Sequence, residues 1–361
     1  MFDKLKVVVD LISKNNLDGI LLTSEINRYW FLDFKSSWGY LFINNSGKSI
    51  FLIDSRYFFA AIKEIKNVDE IILLNGNLKN KLNEIISKLN IKKLGIESEY
   101  CLVNEYEFLK SLNVDIKPCT TNELRITKTK NELDKLQIAA DIASETINWI
   151  KEIDLIGKTE KEVAKLISIH MLELGASGNS FDPIVASGKN GAIAHHSPTN
   201  KIIEDGDMLT IDIGCIYENY CSDITRSFIV GTNYDPEMIK IYECVLNSQL
   251  QGIQKMQLGM TGNDIDKICR DYIIKNNYGQ YFTHSTGHGV GIQVHELPNI
   301  SPNSKFIIKP NYVFTIEPGI YIENFGGVRI EDTVYIDDEN QVHILTKKAN
   351  KNIFQKKLKC L

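Results

Sequence analysis

The sequence predicts a two-domain chain of α/β (α+β) class whose second domain is built from two similar halves. Three observations predict this. The first ~120 residues alternate stretches of helical and strand periodicity. A polar, basic stretch from Thr120 to Lys130 follows them and reads as a linker. Beyond it, the order helix pair, strand pair runs twice, with about 100 residues per copy, which is too long for a solenoid repeat. The expected domains are residues 1–122 and 123–361, and two domains suit a chain of 361 residues.

In the first domain, residues 5–16 have helical periodicity, and Gly19 to Thr23 form a buried-strand pattern. Gly39–Ile43 and Ser49–Ile53 flank Asn44-Asn45-Ser46-Gly47, a hairpin signal. Helix, strand, helix and strand patterns continue to Ile116. The domain holds no glycine-rich phosphate loop and no His/Cys cluster. Trp38-Gly39-Tyr40 reads first as ordinary core aromatics, with a reach into a partner's active site as the alternative. In the second domain, Thr129 and Glu132 have capping-box spacing and should open a helix to about Glu152. Thr159 and Glu162 repeat that spacing, for a helix ending near Leu174 at Gly175. Strands should dominate 205–231, helices fill 236–256 and 262–276, and strands return from about 312 to 337.

Composition narrows the function classes. Hydrophobic residues make up 43% and charged residues 24%, ordinary for a soluble globular protein. The 41 basic and 46 acidic residues give a net charge of −5, with no basic face for nucleic acid or a membrane surface. No apolar stretch approaches the ~20 residues that span a bilayer. Asp10 interrupts the N-terminal apolar run before it reaches signal-peptide length, and no small-residue cleavage site follows. The seven cysteines are scattered without a CxxC, so reduced thiols and a cytoplasmic location are expected.

Two acid-bearing hairpins carry the chemistry. In Met208–Gly214, Leu209, Ile211 and Ile213 alternate with Thr210 and Asp212, which puts Asp212 on the face opposite the aliphatics. A second strand runs through Cys221-Ser222-Asp223-Ile224-Thr225-Arg226-Ser227-Phe228. A turn centred between Tyr217 and Glu218 would set Asp212 directly opposite Asp223. In the second hairpin, a turn centred at Asn324, beside Gly326-Gly327, sets Glu317 opposite Glu331. Opposed side chains have Cβ atoms ~5 Å apart, and like charges facing each other there destabilise the sheet. Two such pairs imply cations between them. Four carboxylates balance two divalent ions, and oxygen ligands with one imidazole suit Mn, Co, Zn or Fe better than a thiolate-seeking metal.

Five of the seven histidines fall in two motifs, residues 187–199 and 284–296. Gly287 and Gly289 flank His288 and should let the backbone approach a metal or substrate closely. His295 lies seven residues on, in an alternating stretch. Of His195 and His196, one should face the site. His170, inside a helix, and His343, in a terminal strand, look structural.

With these motifs in order, the second domain resembles the pita-bread metallopeptidases, the family of methionine aminopeptidases, Xaa-Pro aminopeptidases, Xaa-Pro dipeptidases (prolidases) and creatinases. SGKNGAIAHHSPT, DGDMLTIDIG, CSDITRSF, HSTGHGVGIQVHE, TIEPGIYI and GGVRIED carry the resemblance across about residues 125–350. The first domain, followed by LRITKTKNELDKLQIA, resembles the extra creatinase-type domain of the proline-peptidase branch. The resemblance implies that Asp212 binds one metal, that Asp223 and Glu331 bridge two, and that His288 and Glu317 bind the other. It implies two divalent ions, Mn²⁺ first, with Co²⁺, Zn²⁺ or Fe²⁺ also compatible. It further implies that Glu317 shuttles a proton, that His295 and His195 act on the substrate, and that Arg329 and Tyr321 orient the carboxylates.

The function this implies is an Xaa-Pro aminopeptidase, releasing the N-terminal residue from peptides with proline second. Such a bond is a tertiary amide with no N–H, and it needs a pocket for the ring. The alternative is an Xaa-Pro dipeptidase. Prolidase-like sequences often carry an arginine soon after VHE, where this chain has Asn299. A non-catalytic binding module and creatine hydrolysis are the further alternatives; the filled ligand set argues against the first, and fold analogy alone supports the second. The family also implies a homodimer, a peptide partner, and neither nucleic acid nor membrane.

Overall fold

The computed structural model describes residues 3–355. The chain forms two compact units, Met1–Arg125 and Ile126–Leu361.

The first unit is one mixed six-stranded sheet with helices. Its elements are α1 (Lys4–Lys14), β1 (Gly19–Leu22), α2 (Glu25–Leu32), β2 (Tyr40–Asn44), β3 (Ser49–Ile53), α3 (Phe58–Glu64), β4 (Glu70–Leu73), α4 (Leu78–Lys88), β5 (Lys93–Glu97), α5 (Val103–Lys110) and β6 (Asp115–Cys119). The strand order is β4-β3-β2-β1-β5-β6. The expected hairpin is β2–β3, with Tyr40 opposite Leu52. The β1–β5, β5–β6 and β3–β4 pairs are parallel. Tyr40 is buried in the core with Phe42, Leu52 and Ile85, and Trp38 packs against that cluster, as core aromatics should. The Trp38 and Tyr40 rings meet edge-on at 5.2 Å.

The second unit runs α6 (Lys130–Ile150), α7 (Glu160–Glu173), β7 (Gly178–Asn179), β8 (Ile184–Ser187), β9 (Met208–Ile213), β10 (Cys215–Tyr217), β11 (Tyr220–Cys221), β12 (Ile224–Ile229), α8 (Pro236–Lys255), α9 (Gly262–Lys275), β13 (Gly287–Gly289), β14 (Glu296–Ile300), β15 (Val313–Ile316), β16 (Gly319–Ile322), β17 (Gly326–Arg329), β18 (Asp332–Ile336) and β19 (Val342–Ile344). Both capping boxes form: Thr129 with Glu132, and Thr159 with Glu162. Each satisfies two amides that a helix start would leave bare. Gly175 stops α7 in a left-handed conformation at φ 100°.

Each helix pair covers one strand group, so the repeated order has a physical purpose. Ile147 and Ile167, from α6 and α7, pack on Leu209, Ile211 and Phe228 of β9 and β12. Ile253 and Ile265, from α8 and α9, pack on Phe314, Ile316 and Val334 of β15 and β18. Alternation along the strands then turns Asp212, Thr225 and Thr315 away from these cores. Neither structural histidine is near this opposite face: His170 stacks on Trp149, with ring centroids 3.9 Å apart, and His343 bonds Asp337 at 2.6 Å.

One expected register is corrected. β9 and β12 pair with Asp212 opposite Thr225, not Asp223. The tight turn falls on Glu218 and Asn219, at φ 45° and 66°, one residue later than expected. Tyr217 therefore pairs with Tyr220, and the register slides by two. Two-residue hairpin turns need positive φ at both central positions, and that requirement chose the turn. The second hairpin has the expected register. Ile316 pairs with Asp332 and Gly319 with Arg329, so Glu317 and Glu331 come to facing positions between them. They do not share a ladder bond. The Glu317 amide donates to Thr286 O at 2.8 Å and the Glu331 amide to Thr225 O at 3.1 Å.

Candidate metal centre

The faces turned away from the two cores enclose a cavity of about 680 Å³. Asp212, Asp223, His288, Glu317 and Glu331 all line it, as do His195, His284, His295, Asn299 and Arg329. Asp223, His288 and Glu331 each offer a ligand atom, and these atoms lie within 4.8 Å of one another. His288 Nε2 stands 3.5 Å from Asp223 Oδ2 and 3.3 Å from Glu317 Oε1.

A frame of polar side chains holds carboxylate oxygens of Asp212, Glu317 and Glu331. Arg329 donates to Asp212 Oδ2 at 2.6 Å, and to the Tyr321 hydroxyl at 2.7 Å. The Thr225 hydroxyl donates to Glu331 Oε2 at 2.7 Å, and the Thr315 hydroxyl to Glu317 Oε1 at 3.0 Å. His284 Nε2 meets the Tyr321 hydroxyl at 2.8 Å. Arg329 thus reaches a carboxylate directly, and Tyr321 reaches one only through Arg329. The contributions of His284, Thr225 and Thr315 went unread, although each sits inside a quoted motif. A hydroxyl's partner is set by tertiary proximity, and the four-residue step from His284 to His288 was the one available signal.

Both histidines of the pair line the cavity, but they differ in exposure and partners. His196 is buried against Glu160, 2.8 Å away, and the exposed His195 stands at the cavity wall. The His295 ring lies edge-on to His288, at 4.2 Å between centroids. The glycines beside His288 meet a packing need. A Cβ at Gly287 would sit 2.0 Å from Thr315 O, and one at Gly289 would sit 2.1 Å from Leu297 O. They let neighbouring strands close in, and this holds His288 in place.

Electrostatics tests whether this donor set fits cations. Burial first, and then the charges of Glu331, Asp212 and Glu317, push Asp223 well above the usual carboxylate range. Burial, Glu317 and Asp212 do the same to Glu331. Burial opposes ionisation of Glu317 too, but the hydrogen bond and charge of His288 win and hold it low. Asp212 Oδ1 and Glu331 Oε1 are buried with no hydrogen-bond partner. Buried carboxylates with bare oxygens are costly unless a proton or a cation sits on them. The oxygen-rich set with one imidazole suits hard or borderline divalent ions.

Comparisons with known proteins agree with this chemistry. The model of metallopeptidase family M24 matches residues 134–338, and that of the creatinase/prolidase N-terminal domain matches residues 4–127. The chain belongs to metallopeptidase family M24. Among M24 relatives, a Mycoplasma genitalium protein provisionally named as an Xaa-Pro aminopeptidase is 38% identical, over 94% of this chain and 95% of its own length. A solved Xaa-Pro dipeptidase from Bacillus anthracis superposes with a TM-score of 0.93, at 35% identity, covering 97% of this chain and 99% of its own. A solved X-Pro aminopeptidase from Thermotoga maritima gives 0.85 at 32% identity, covering 94% and 97%. The fold is therefore the M24 pita-bread domain preceded by a creatinase-type domain, as the motifs implied. M24 membership makes the protein a metallopeptidase and implies divalent metal ions at the carboxylate cluster. Among the described residues, no helix is long and apolar enough to cross a membrane.

Proposed function

We propose that this M24 peptidase is an Xaa-Pro aminopeptidase, with its chemistry in residues 123–361. The observation that carries this choice is the cation content of the cavity wall. Arg329 is the one arginine or lysine among the described lining residues, and Asp212, Tyr321 and Ala194 O already engage it. Asn299 lies opposite His288 in the β13–β14 pair and reaches the same cavity, where a cation could meet the C-terminal carboxylate of a dipeptide. A wall with no arginine or lysine beyond Arg329 favours longer peptides.

In this reading Asp212 would hold one ion, His288 and Glu317 would hold the other, and Asp223 and Glu331 would serve both. The chemistry such ions would supply there, Mn²⁺ first, is a water acidified to near neutrality and a polarised scissile carbonyl. Glu317, kept ionised beside His288, takes the water's proton and delivers it to the departing proline nitrogen. Burial, then the neighbouring His288, lowers the pKa of His295, so its neutral ring offers an N–H to the carbonyl oxygen as negative charge builds there. His195 contacts the substrate from its place at the cavity wall. Arg329, itself bonded to the Tyr321 hydroxyl, holds Asp212 Oδ2 and leaves Oδ1 without a protein partner. We further propose a cytoplasmic homodimer acting on peptides with proline second.

The relatives are named for both activities, so an Xaa-Pro dipeptidase is the second reading. Assaying Ala-Pro against an X-Pro-Pro-X peptide with added Mn²⁺ decides between them. Release of the N-terminal residue from the longer peptide is expected; cleavage of the dipeptide alone would overturn the choice.

A further inference from the structure

Glu160, the first residue of α7, is fully buried and lies outside the carboxylate cluster. Its two oxygens accept six hydrogen bonds, all from the segment 187–199. Oε1 takes the Ser187 amide at 2.8 Å, the Ser187 hydroxyl at 2.9 Å and the Asn190 side-chain amide at 3.0 Å. Oε2 takes His196 Nε2 at 2.8 Å, the Thr199 amide at 3.0 Å and the Thr199 hydroxyl at 2.7 Å. Burial alone would raise the pKa of this carboxyl. The bonds from His196, Asn190, Ser187 and Thr199 overcome it and hold the group at about 2. A carboxylate with six donors is far more than a helix start requires, since Thr159 and Glu162 already cap α7.

The donors come from both ends of one loop. Ser187 and Asn190 lie before residues 191–195, and His196 and Thr199 lie after them. The first amides of α7 reinforce the clamp: Glu160 N donates to Lys201 O, and Lys161 N to Thr199 O. From the other side, Arg329 donates to Ala194 O at 3.2 Å, and a Cβ at Gly191 would come within 3.0 Å of Gly327 N. His195 therefore sits between two anchored neighbours, Ala194 held by Arg329 and His196 held by Glu160. Its own ring is left at the cavity wall.

We propose that Glu160 is the positioning residue of His195, fixing the imidazole's place in the cavity by gathering both ends of its loop onto one carboxylate. This rests on the reading of His195 as a substrate contact. A double-mutant cycle on the full-length, metal-loaded protein tests it, with an X-Pro-Pro-X peptide as substrate. The variants are Glu160→Gln, His195→Ala and the pair. In either amide orientation, Glu160→Gln places an NH₂ against a backbone N–H that needs an acceptor. Turnover, metal content and melting temperature are measured together, with turnover read well below the lowest melting temperature.

The expected result is a drop in kcat/KM on the order of tenfold for Glu160→Gln, the scale of coupling between interacting residues, with the metal content unchanged. His195→Ala should then cost much less in the Glu160→Gln background than in the native one. In the metal-free protein, the His195 imidazole NMR resonance should shift or broaden in Glu160→Gln. If His195→Ala costs the same factor in both backgrounds, Glu160 is merely structural and the proposal falls. If His195→Ala leaves turnover unchanged in the native background, the reading of His195 falls and takes the proposal with it. If Glu160→Gln does not fold, the pair Asn190→Ala with Thr199→Val removes two donors and keeps the carboxylate. The same cycle against His195→Ala then decides.

Discussion

Asp212 Oδ1 and Glu331 Oε1 are buried with no donor to accept from, while the second oxygen of each is hydrogen-bonded, to Arg329 and to Thr225. Replacing Asp223 or Glu331 by Ala should lower both metal content and turnover by on the order of 10²-fold or more, a loss at least as large as that from removing an outer partner of a ligand. Metal analysis beside a peptide assay checks this, and near-native activity in either variant would remove those residues from the site. His295→Ala should behave differently, with turnover down on the order of 10²-fold, the worth of one oxyanion donor, and both metals retained. At this scale the sequence was most legible where short motifs and period-2 strands fixed a face. Asp212, Asp223, His288, Glu317 and Glu331 all reach the cavity they were expected to share. Thr225, Thr315, Glu160 and His284 act through contacts with residues 2 to 106 positions away. Spacing along the chain could not announce those contacts.

The two hairpins show why one register was readable and the other was not. Asn324 sits at φ 60° beside Gly326-Gly327, so the residues that tolerate a sharp reversal mark its centre. The other turn places Glu218 at φ 45°, in a conformation that glutamate does not advertise. Asn219→Ile should therefore cost about 1–2 kcal/mol through left-handed strain, read as a lower urea midpoint, and should weaken metal retention by disturbing Asp223. Asn219→Gly should keep both. If Ile is tolerated as well as Gly, the turn does not set the register. Helices were easier to place, because capping boxes at Thr129 and Thr159 and the glycine after α7 are local signals.

Proton and cation compete for the same oxygens across the whole molecule. Without metal, Asp223 and Glu331 have folded pKa values above their ordinary 3.8 and 4.5. Their contribution to stability is complete below those ordinary values and is lost as pH rises through the raised ones. Glu160 has the opposite sign: its contribution is present above 4.5 and fades as pH falls toward about 2. The gap in melting temperature between metal-loaded and chelator-stripped protein should widen from about pH 5 to about pH 8, and metal uptake should release protons. A gap that narrows over that range would contradict the assignment. In the first unit α1, β1 and the β2–β3 hairpin were legible; α2 and one of the three helix–strand pairs after β3 were not, nor was the mixed sheet order, since parallel neighbours are chosen by long crossovers with no local mark. One feature of the second unit reaches further. Glu317 and Glu331 face each other yet bond through their amides to Thr286, just before β13, and Thr225, in β12. Each half of the duplicated unit thus owns two carboxylates and a complete site belongs to neither, so substitutions in one half are judged by what the other half has kept, and the two must change in step.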